Sequence, residues 1–427
     1  MNIRIVPKSL RGTVTVPSSK SMGHRELICA ALAKGRSTIE NISWSQDMEA
    51  TCRVLRAFGV SIETRQMENG RVCCQVDGGL KIPAAVQADC GESGSTLRFL
   101  IPVGQLGTGR ITYTGQGKLI SRPLELYYAI WDRQGIAYSA VDGGLPLTVE
   151  GRLQPGRYEL PGSVSSQFVS GLLFALPLLD KDSEIHITSP LESQSYAALT
   201  LQCLKKYGIA VRRDGWRTLY IQGNQQYLPQ HSRVEGDYSQ AAFWLAAGTL
   251  GGSLAVQGLD ADSLQGDRAV LSYMEQMGAK AAYQKGAFHV QTAKTKGTVI
   301  DARDCPDIIP VLAVLAACSA GETKVIHAER LRLKECDRLH AIQTELTALG
   351  ADIEEFPDGL CIRGKGQLKG GTVNSWNDHR IAMAMAVAAV RCRESVLIKG
   401  AESVAKSYPA FWQDYEALGG CLEKEEE

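Results

Sequence analysis

The stretch Pro17-Ser-Ser-Lys-Ser-Met-Gly-His-Arg25 lies between the strand-like residues 14–16 and a helical run over residues 26–33. Small hydroxyl residues and a glycine at a helix start leave backbone N–H groups without intrahelical partners, and Lys20 and Arg25 add two cations. We interpret the stretch as an anion-binding helix start. Taken alone, it fits equally well an ordinary helix N-cap whose cations face water. The spacing of a Walker loop is absent.

A glycine that ends a helix and precedes a strand-like run recurs at intervals of roughly seventy residues. These glycines are Gly59, Gly135, Gly208, Gly278, Gly350 and Gly419. Chance recurrence of helix-end signals is the alternative, but six occurrences at one period favour a true repeat. The chain is therefore predicted to consist of six related repeats.

A short polar turn before an alanine- and leucine-rich run also recurs six times. The turns are Ser19-Lys20-Ser21, Glu92-Ser93-Gly94-Ser95-Thr96, Ser165-Ser166-Gln167, Asp237-Tyr238-Ser239-Gln240, Pro306-Asp307 and Asn377-Asp378-His379-Arg380. The runs behind them, such as 168–179, are apolar nearly all round, which is typical of buried helices. Asp307 is predicted to be either a helix N-cap or a base at the mouth of a site.

Each repeat reads as strand, helix, strand, helix and two further strands, and is too small and too apolar to stand alone. We expect an α/β fold of two similar domains, each made of three repeats with helices inside and sheets outside. Residues 1–18 with 235–427 are predicted to form the first domain. Residues 19–234 are predicted to form the second, because the first strand must join the C-terminal half to complete its repeats.

Composition argues against several classes of partner. The chain has 46 Lys and Arg against 46 Asp and Glu, so no net charge attracts it to nucleic acid or to an anionic membrane. Aromatic residues make up 7% and do not alternate with a basic stripe. The N-terminus lacks a signal-peptide pattern, and the longest apolar run, 381–390, is too short to span a bilayer. We expect a cytoplasmic protein.

The twelve cysteines and seven histidines show no metal-ligand spacing and no Cys-x-x-Cys pair. We expect reduced core thiols, no metal and no cofactor. For each single cation, a solvated side chain or a surface ion pair is the alternative to a ligand site. Many of the cations nevertheless lie in polar turns beside apolar runs, where an unpaired charge is costly, so a polyanionic ligand is favoured.

The run Lys334-Glu335-Cys336-Asp337-Arg338 mixes both signs of charge. One interpretation is a solvent-exposed helix face with i,i+4 pairs. The other is a site in which Glu335 handles protons while Arg338 holds a ligand.

Six motifs together closely resemble the 3-phosphoshikimate 1-carboxyvinyltransferase (5-enolpyruvylshikimate-3-phosphate synthase) family of enolpyruvyl transferases. The motifs are residues 18–25, Ser165-Ser-Gln167, Val234-Glu-Gly-Asp237, residues 334–338, residues 377–380 and Ala405-Lys406-Ser-Tyr-Pro409. The resemblance runs in order from end to end. It implies the inside-out α/β barrel of the enolpyruvyl transferases and the transfer of enolpyruvyl from phosphoenolpyruvate to shikimate 3-phosphate, on the route to chorismate and aromatic amino acids.

The resemblance also implies roles for single residues. It assigns to shikimate 3-phosphate, on the second domain's side, Lys20, Ser21, Arg25, Ser165, Ser166, Gln167, Ser193 and Tyr196, together with Asp307 and Lys334. It assigns to phosphoenolpyruvate Lys20, Gly94, Arg98, Arg122, Gln167, Arg338, Arg380 and Lys406, with the first domain as the phosphoenolpyruvate side. Asp307, Glu335 and Lys20 are the implied catalytic residues. The small Gly94 favours binding of the phosphonate glyphosate, for which the family is a target.

Two rival functions remain open at this point. One is the related transferase that acts on UDP-N-acetylglucosamine, which is expected to carry Lys-Asn at the opening motif and a cysteine before the second repeat's Arg-Pro. Here the pair is Lys20-Ser21, and residues 112–123 hold no cysteine. The other is a non-catalytic repeat protein that binds a phosphorylated metabolite. In either case we expect small-molecule ligands and a monomer.

Overall fold

The computed structural model describes residues 1–67, 70–163 and 165–425. It divides into two compact units, Met1–Pro17 with Glu235–Glu427 and Ser18–Val234, which we call the first and second unit. Ser18, which the sequence analysis placed in the first domain, belongs to the second unit. The reason is a pair of hydrogen bonds with Ser43: each backbone N–H donates to the other residue's hydroxyl oxygen, at 2.7 and 2.8 Å.

Across the described residues, twelve α-helices alternate with strands. The helices are α1 (Lys20–Leu32), α2 (Gln46–Ala57), α3 (Gly94–Gly104), α4 (Glu125–Gln134), α5 (Ser166–Ala175), α6 (Gln194–Lys206), α7 (Tyr238–Gly251), α8 (Ala269–Gln276), α9 (Ile309–Ala317), α10 (Arg338–Ala348), α11 (His379–Ala389) and α12 (Phe411–Ala417). No helix in this part of the chain is long and apolar enough to cross a membrane.

Strands account for most of the remaining regular structure. The strands of the first half are β1 (Asn2–Val6), β2 (Leu10–Thr15), β3 (Gly35–Ile42), β4 (Ser61–Gln66), β5 (Val72–Gly78), β6 (Ala85–Asp89), β7 (Arg110–Thr114), β8 (Ala137–Val141), β9 (Gly144–Glu150), β10 (Arg157–Leu160), β11 (Ser183–Ile187), β12 (Val211–Asp214) and β13 (Thr218–Ile221). The others are β14 (His231–Arg233), β15 (Gly252–Gln257), β16 (Ala281–Gln284), β17 (Ala287–Gln291), β18 (Val299–Asp301), β19 (Ala320–Ile326), β20 (Asp352–Phe356), β21 (Gly359–Lys365), β22 (Gly371–Asn374), β23 (Val396–Lys399) and β24 (Cys421–Glu425).

These strands form six four-stranded sheets of one design, as the six repeats predict. In each sheet one edge strand runs parallel to its neighbour and the other two strands pair antiparallel. The orders are β22-β23-β1-β24, β2-β15-β17-β16 and β18-β19-β21-β20 in the first unit, and β14-β3-β5-β4, β6-β7-β9-β8 and β10-β11-β13-β12 in the second.

The chain passes between the units twice, each time just after a strand. β2 pairs with β15 of the first unit, but the chain continues from it into α1 of the second. β14 pairs with β3 of the second unit, but continues into α7 of the first. In the second unit, one sheet thus contains strands from both ends of that unit's own segment, β3 and β14. In the first unit, two sheets contain an N-terminal strand: β1 pairs with β23 and β24, and β2 pairs with β15.

The first helix of each repeat is buried, as its composition predicts. Every residue of α9 and α11 is buried, and so are residues 22–32 of α1. Alanine and leucine on all faces leave no polar side that could meet water, so these helices fill the two hydrophobic cores. The twelve cysteines are free thiols, and eleven of them are buried.

All six predicted glycines adopt a positive φ, between +67° at Gly135 and +95° at Gly278. Gly135 is the C-cap residue itself, while the other five follow the C-cap. The next residue closes the turn: Val60, for example, donates its N–H to the Leu55 carbonyl at 3.2 Å. Only glycine adopts this left-handed conformation at no steric cost, which explains its recurrence.

Five of the six predicted helix starts carry a capping side chain. Ser19, Ser93, Ser165, Asp237 and Asp378 each accept a hydrogen bond from a backbone N–H of the first turn. At the sixth, a 3₁₀ turn over Pro306–Ile308 precedes α9, and no side chain caps it. The N-cap alternative for Asp307 is therefore wrong, because Asp307 lies inside this turn and its carboxylate binds cations instead.

The conformation of Gly135 generates a stability prediction. A Cβ at this position would meet no atom within 4 Å, so Gly135→Ala adds only the strain of a left-handed φ. We expect a loss of about 1–2 kcal/mol in the free energy of unfolding, measured by urea denaturation. Gly135→Asn is the matched control and should lose less, because asparagine tolerates this region. Equal losses in both variants would contradict the argument.

Candidate functional site

Lys20 begins α1 and forms an ion pair with Asp47 of α2, with 2.8 Å between Lys20 Nζ and Asp47 Oδ2. Both side chains are mostly buried, 18% and 13% exposed. A partly buried pair of this kind holds the amine at a fixed position at the helix start. The sequence predicted Lys20 as a site residue, but not its pairing with Asp47.

Arg25 lies one turn further along α1 and is buried. Its guanidinium donates to Thr200 Oγ1 at 2.8 Å, to the Ser21 carbonyl at 2.6 Å and to the Tyr196 carbonyl at 2.8 Å. Burial lowers the pKa of Arg25 to about 10, so it remains a cation at neutral pH. These contacts bring together Ser21, Arg25 and Tyr196, three of the predicted site residues. Thr200 carries no signal in the sequence that would have found it.

Gln167 joins the starts of α3 and α5. Arg98 donates to Gln167 Oε1 at 2.9 Å, and Gln167 Nε2 donates to Ser95 Oγ at 3.0 Å. A Cβ added at Gly94 would overlap Arg122 Nη1 and lie 3.8 Å from Gln167 Oε1. The structure therefore brings Gly94, Arg98, Arg122 and Gln167 together, although they come from different repeats.

The remaining predicted residues of the second unit lie at helix starts. Ser165 caps α5, and Ser166 is its first, buried residue. Ser193 precedes α6, is buried, and has φ +52°, a left-handed conformation that is uncommon for residues other than glycine. Strained residues of this kind often occur at ligand sites.

In the first unit, Asp307 is the centre of a cluster of cations. Its Oδ1 lies 2.8 Å from Arg338 Nη1 and 3.3 Å from Lys334 Nζ, and its Oδ2 lies 3.1 Å from Arg380 Nη2. Burial alone would raise the pKa of Asp307, but the charges of Arg380, Lys334 and Arg338 hold it well below its ordinary value. Asp307 is therefore ionised at neutral pH.

Arg338 is the buried counterpart of this cluster. It is the first residue of α10, is 1% exposed, and also binds Asp378 Oδ2 at 2.8 Å and Glu335 Oε2 at 2.8 Å. Burial alone would lower the pKa of Arg338, yet the charges of Asp378, Glu335 and Asp307 raise it well above its ordinary value. The helix-face interpretation of residues 334–338 is wrong, because the helix begins only at Arg338 after a turn.

Arg380 and Lys406 lie beside this cluster. Arg380 donates to the Asp307 carbonyl and to Ser239 Oγ, both at 3.1 Å, and Lys406 Nζ donates to the Asn377 carbonyl at 2.7 Å. Lys406 thus contacts the turn before α11. Burial lowers the pKa of Lys334, although Asp307 opposes this shift.

The ion pair between Asp378 and Arg338 was not predicted from the sequence. Asp378 is fully buried, caps α11 through the Arg380 N–H, and binds Arg338 from 40 positions further along the chain. Its place in the Asn-Asp-His-Arg turn was a signal for a helix cap but not for an ion pair. Within the described residues, no group of three or more His, Cys, Asp or Glu side chains is arranged to hold a metal ion.

Comparison with known proteins agrees with this picture. A family model described as EPSP synthase (3-phosphoshikimate 1-carboxyvinyltransferase) matches residues 6–415. Curated 3-phosphoshikimate 1-carboxyvinyltransferases from Clostridium novyi and Clostridium acetobutylicum are 48% and 49% identical, covering 99% and 98% of this chain and 98% and 97% of their own.

Solved structures of this family have a similar fold. A structure described as EPSP synthase from Acinetobacter baumannii has a TM-score of 0.82 and 26% sequence identity, with 100% of both chains covered. Together with the six repeated sheets and the relatives that match from end to end, this likeness confirms what the motifs predict: the chain belongs to the EPSP synthase (3-phosphoshikimate 1-carboxyvinyltransferase) family.

Proposed function

We propose that the chain transfers the enolpyruvyl group by using its charged helix starts to bind both anionic substrates. As a member of its family, it is a transferase of the shikimate pathway that moves enolpyruvyl from phosphoenolpyruvate to the 5-hydroxyl of shikimate 3-phosphate and releases phosphate. The observation that carries the proposed roles is the contact of Asp307 with three cations. A carboxylate held this way can be exchanged for an anionic substrate.

Shikimate 3-phosphate is assigned to residues whose positions are already fixed. Arg25 supports this assignment, because its three hydrogen bonds to protein oxygens hold it rigid before any ligand binds. The proposed set is Lys20, Ser21, Arg25, Ser165, Ser166, Gln167, Ser193, Tyr196, Asp307 and Lys334.

Phosphoenolpyruvate is assigned mainly to arginines. Arginine binds phosphate and carboxylate oxygens in pairs, which suits a ligand that carries both groups. The proposed set is Lys20, Gly94, Arg98, Arg122, Gln167, Arg338, Arg380 and Lys406. The two substrates bring a combined charge of roughly −5 to −6, counting about −1.5 to −2 for each phosphate. Cations in this number are needed to hold them together.

The proposed chemistry uses Asp307 and Glu335 as a proton-handling pair. Asp307 takes the proton of the 5-hydroxyl while Glu335 protonates the methylene carbon of phosphoenolpyruvate, and the hydroxyl oxygen bonds to the cationic carbon. Phosphate then leaves with the electron pair of its C–O bond and accepts a proton from Asp307. A methyl proton returns to Glu335, and the carbon–carbon double bond forms again. Lys20 stabilises the charge on the oxygens of the two substrates.

Asp307 is a weak base while three cations surround it, so its basicity must depend on substrate. An anionic substrate that binds Arg338 and Arg380 would weaken their attraction for Asp307 and raise the pKa of its carboxyl group. Basicity would then appear only in the complex. This coupling explains why a carboxylate with a depressed pKa can serve as the base.

The alternatives predict different substrates. The transferase of UDP-N-acetylglucosamine is not favoured, because the family match and the relatives carry the 3-phosphoshikimate name. A non-catalytic binding protein would need no arrangement of Glu335 beside Arg338. We further propose a cytoplasmic monomer: each unit has its own core, and the buried free thiols suit a reducing compartment.

Phosphate release tests the function directly. We expect release from phosphoenolpyruvate that depends on shikimate 3-phosphate and that does not occur with UDP-N-acetylglucosamine. Release with the nucleotide sugar would favour the rival transferase, and no release with either acceptor would favour the binding protein. Sedimentation of the same sample tests the proposed monomer, and fractionation of cells tests the location.

Substitutions test the assigned roles. Asp307→Asn and Glu335→Gln should each lower kcat about 10²- to 10⁴-fold, the usual range for general acid–base groups. Lys20→Met should lower it at least about 10²-fold by removing charge stabilisation. Lys34→Met is the matched control, because Lys34 is exposed beyond the other end of α1, and it should leave kcat unchanged. Turnover near the wild-type value in any of the first three variants would remove that residue from the mechanism.

A further inference from the structure

His24 is a fully buried histidine of α1 that the mechanism does not use. Its Nδ1 lies 2.7 Å from Thr51 Oγ1 of α2, and its Nε2 has no hydrogen-bond partner among the described residues. Buried polar atoms without a partner are rare in native proteins, so the orientation of this ring needs a reason. The hydrogen bond between Nδ1 and Thr51 supplies this reason.

A chain of hydroxyl groups leads from His24 to the start of α3. Thr51 Oγ1 lies 2.7 Å from Thr96 Oγ1, and the Thr96 hydroxyl donates to Ser93 Oγ at 2.8 Å. Ser93 Oγ in turn caps α3 by accepting from the Thr96 N–H at 3.2 Å. We call His24, Thr51, Thr96 and Ser93 the hydroxyl relay. It joins α1, α2 and α3 through side chains alone.

The direction of the relay fixes the state of the imidazole. Thr96 Oγ1 also lies 3.4 Å from the Asp47 carbonyl, which can only accept. The single Thr96 hydroxyl proton goes either to Ser93 Oγ or to this carbonyl, and in both cases Thr51 must donate to Thr96, so that His24 donates from Nδ1–H to Thr51. The opposite direction would place an N–H on Nε2 and bury it without an acceptor, which proteins avoid more strictly than a bare acceptor.

The environment keeps this histidine neutral. Burial, together with the charges of Lys20 and Arg25, lowers the pKa of His24 well below its ordinary value. The ring is therefore a neutral Nδ1–H tautomer with a bare Nε2. A neutral ring with one fixed donor can hold the hydroxyl groups of the relay in position without adding charge beside anionic ligands.

We propose that His24 is a positioning residue that, through Thr51 and Thr96, fixes the first turn of α3 and thereby sets the affinity for phosphoenolpyruvate. This inference rests on the proposed assignment to phosphoenolpyruvate of Gly94, which begins that turn, and of Arg98, which follows it in α3. The turn packs closely against Arg122: a Cβ added at Gly94 would overlap Arg122 Nη1, and this end of the arginine side chain would have to shift. A small shift of α3 would therefore change the contacts of both arginines.

Arg25, a cation that is assigned to shikimate 3-phosphate and not to phosphoenolpyruvate, does not depend on the relay. The hydrogen bonds of Arg25 go to Thr200 Oγ1 and to the carbonyls of Ser21 and Tyr196, none of which belongs to the relay. Breaking the relay should therefore weaken the binding of phosphoenolpyruvate more than the binding of shikimate 3-phosphate. General destabilisation would not make this distinction.

Thr51→Val and Thr96→Val remove the hydroxyls while they keep the shape of the side chain. Each should raise KM for phosphoenolpyruvate about three- to tenfold, the equivalent of one lost hydrogen bond, with kcat and KM for shikimate 3-phosphate within about twofold of wild type. The double variant should show no larger change than the more severe single variant, because both break the same relay. Thr249→Val, a fully buried helix threonine in the other unit, is the matched control and should change neither KM.

The histidine itself supplies two independent readouts. His24→Asn keeps a polar group near the position of Nδ1 and should retain the wild-type KM for phosphoenolpyruvate, whereas His24→Leu should raise it as Thr51→Val does. In ¹⁵N spectra of the wild type, assigned by the loss of one signal in His24→Asn, the His24 ring should be protonated at Nδ1 and bare at Nε2.

The inference would be overturned by an Nε2–H tautomer, by a parallel rise of both KM values, or by additive effects in the double variant. Unchanged KM values in an active enzyme would refute the relay and leave the proposed function intact. If the wild-type protein shows no phosphate release that depends on shikimate 3-phosphate, the proposed function itself is refuted. The tautomer of His24 would still show the direction of the hydrogen bonds in the relay.

Discussion

A helix that is buried along its whole length can present polar groups to a ligand only at its ends, and this constraint applies to both units. Apart from a few buried polar residues such as His24 and Arg25 of α1, the first helices consist mostly of alanine, leucine and other apolar residues, and α9 and α11 have no exposed residue. The polar turn before each helix must then satisfy the backbone N–H groups. Two of these turns carry a cation that the proposed function uses, Lys20 at the start of α1 and Arg380 at the start of α11.

Charge at these helix starts is balanced by acidic groups inside each unit. Lys20 is held by Asp47, whereas Arg338 is held by the fully buried Asp378 and by the more accessible Asp307 and Glu335. A cation with a buried partner stays in place when its other partners leave. In the proposed function, Arg338 exchanges Asp307 for a substrate oxygen and keeps its position through Asp378. An unpaired arginine in the same place would be too costly to bury.

Local features of the sequence predicted the architecture well. The glycines at Gly59 and Gly135 mark helix ends because a positive φ is a local requirement, and five helix starts carry the predicted caps. Asp307 was misread as a possible cap because a 3₁₀ turn, which has no distinct sequence signal, precedes α9. Local patterns also left a helix face open as one interpretation of residues 334–338, although the helix begins only at Arg338.

Contacts between repeats could not be predicted in this way. The pairing of Arg338 with Asp378 and the relay from His24 through Thr51 to Thr96 join residues that lie far apart in the chain. They depend on how three helices pack, and no spacing rule describes them. The resemblance to known enzymes supplied the roles of single site residues, and these roles remain proposals.

The central claim is that Asp307 gains basicity only when an anionic substrate binds its cations. It is tested most directly by a ¹³C-carboxyl NMR titration of Asp307, assigned by comparison with Asp307→Asn, in the absence and presence of phosphoenolpyruvate and shikimate 3-phosphate. The account predicts a pKa well below the ordinary value of an aspartate in the free protein and a clear rise when the substrates bind. A pKa that is unchanged by the substrates would contradict it.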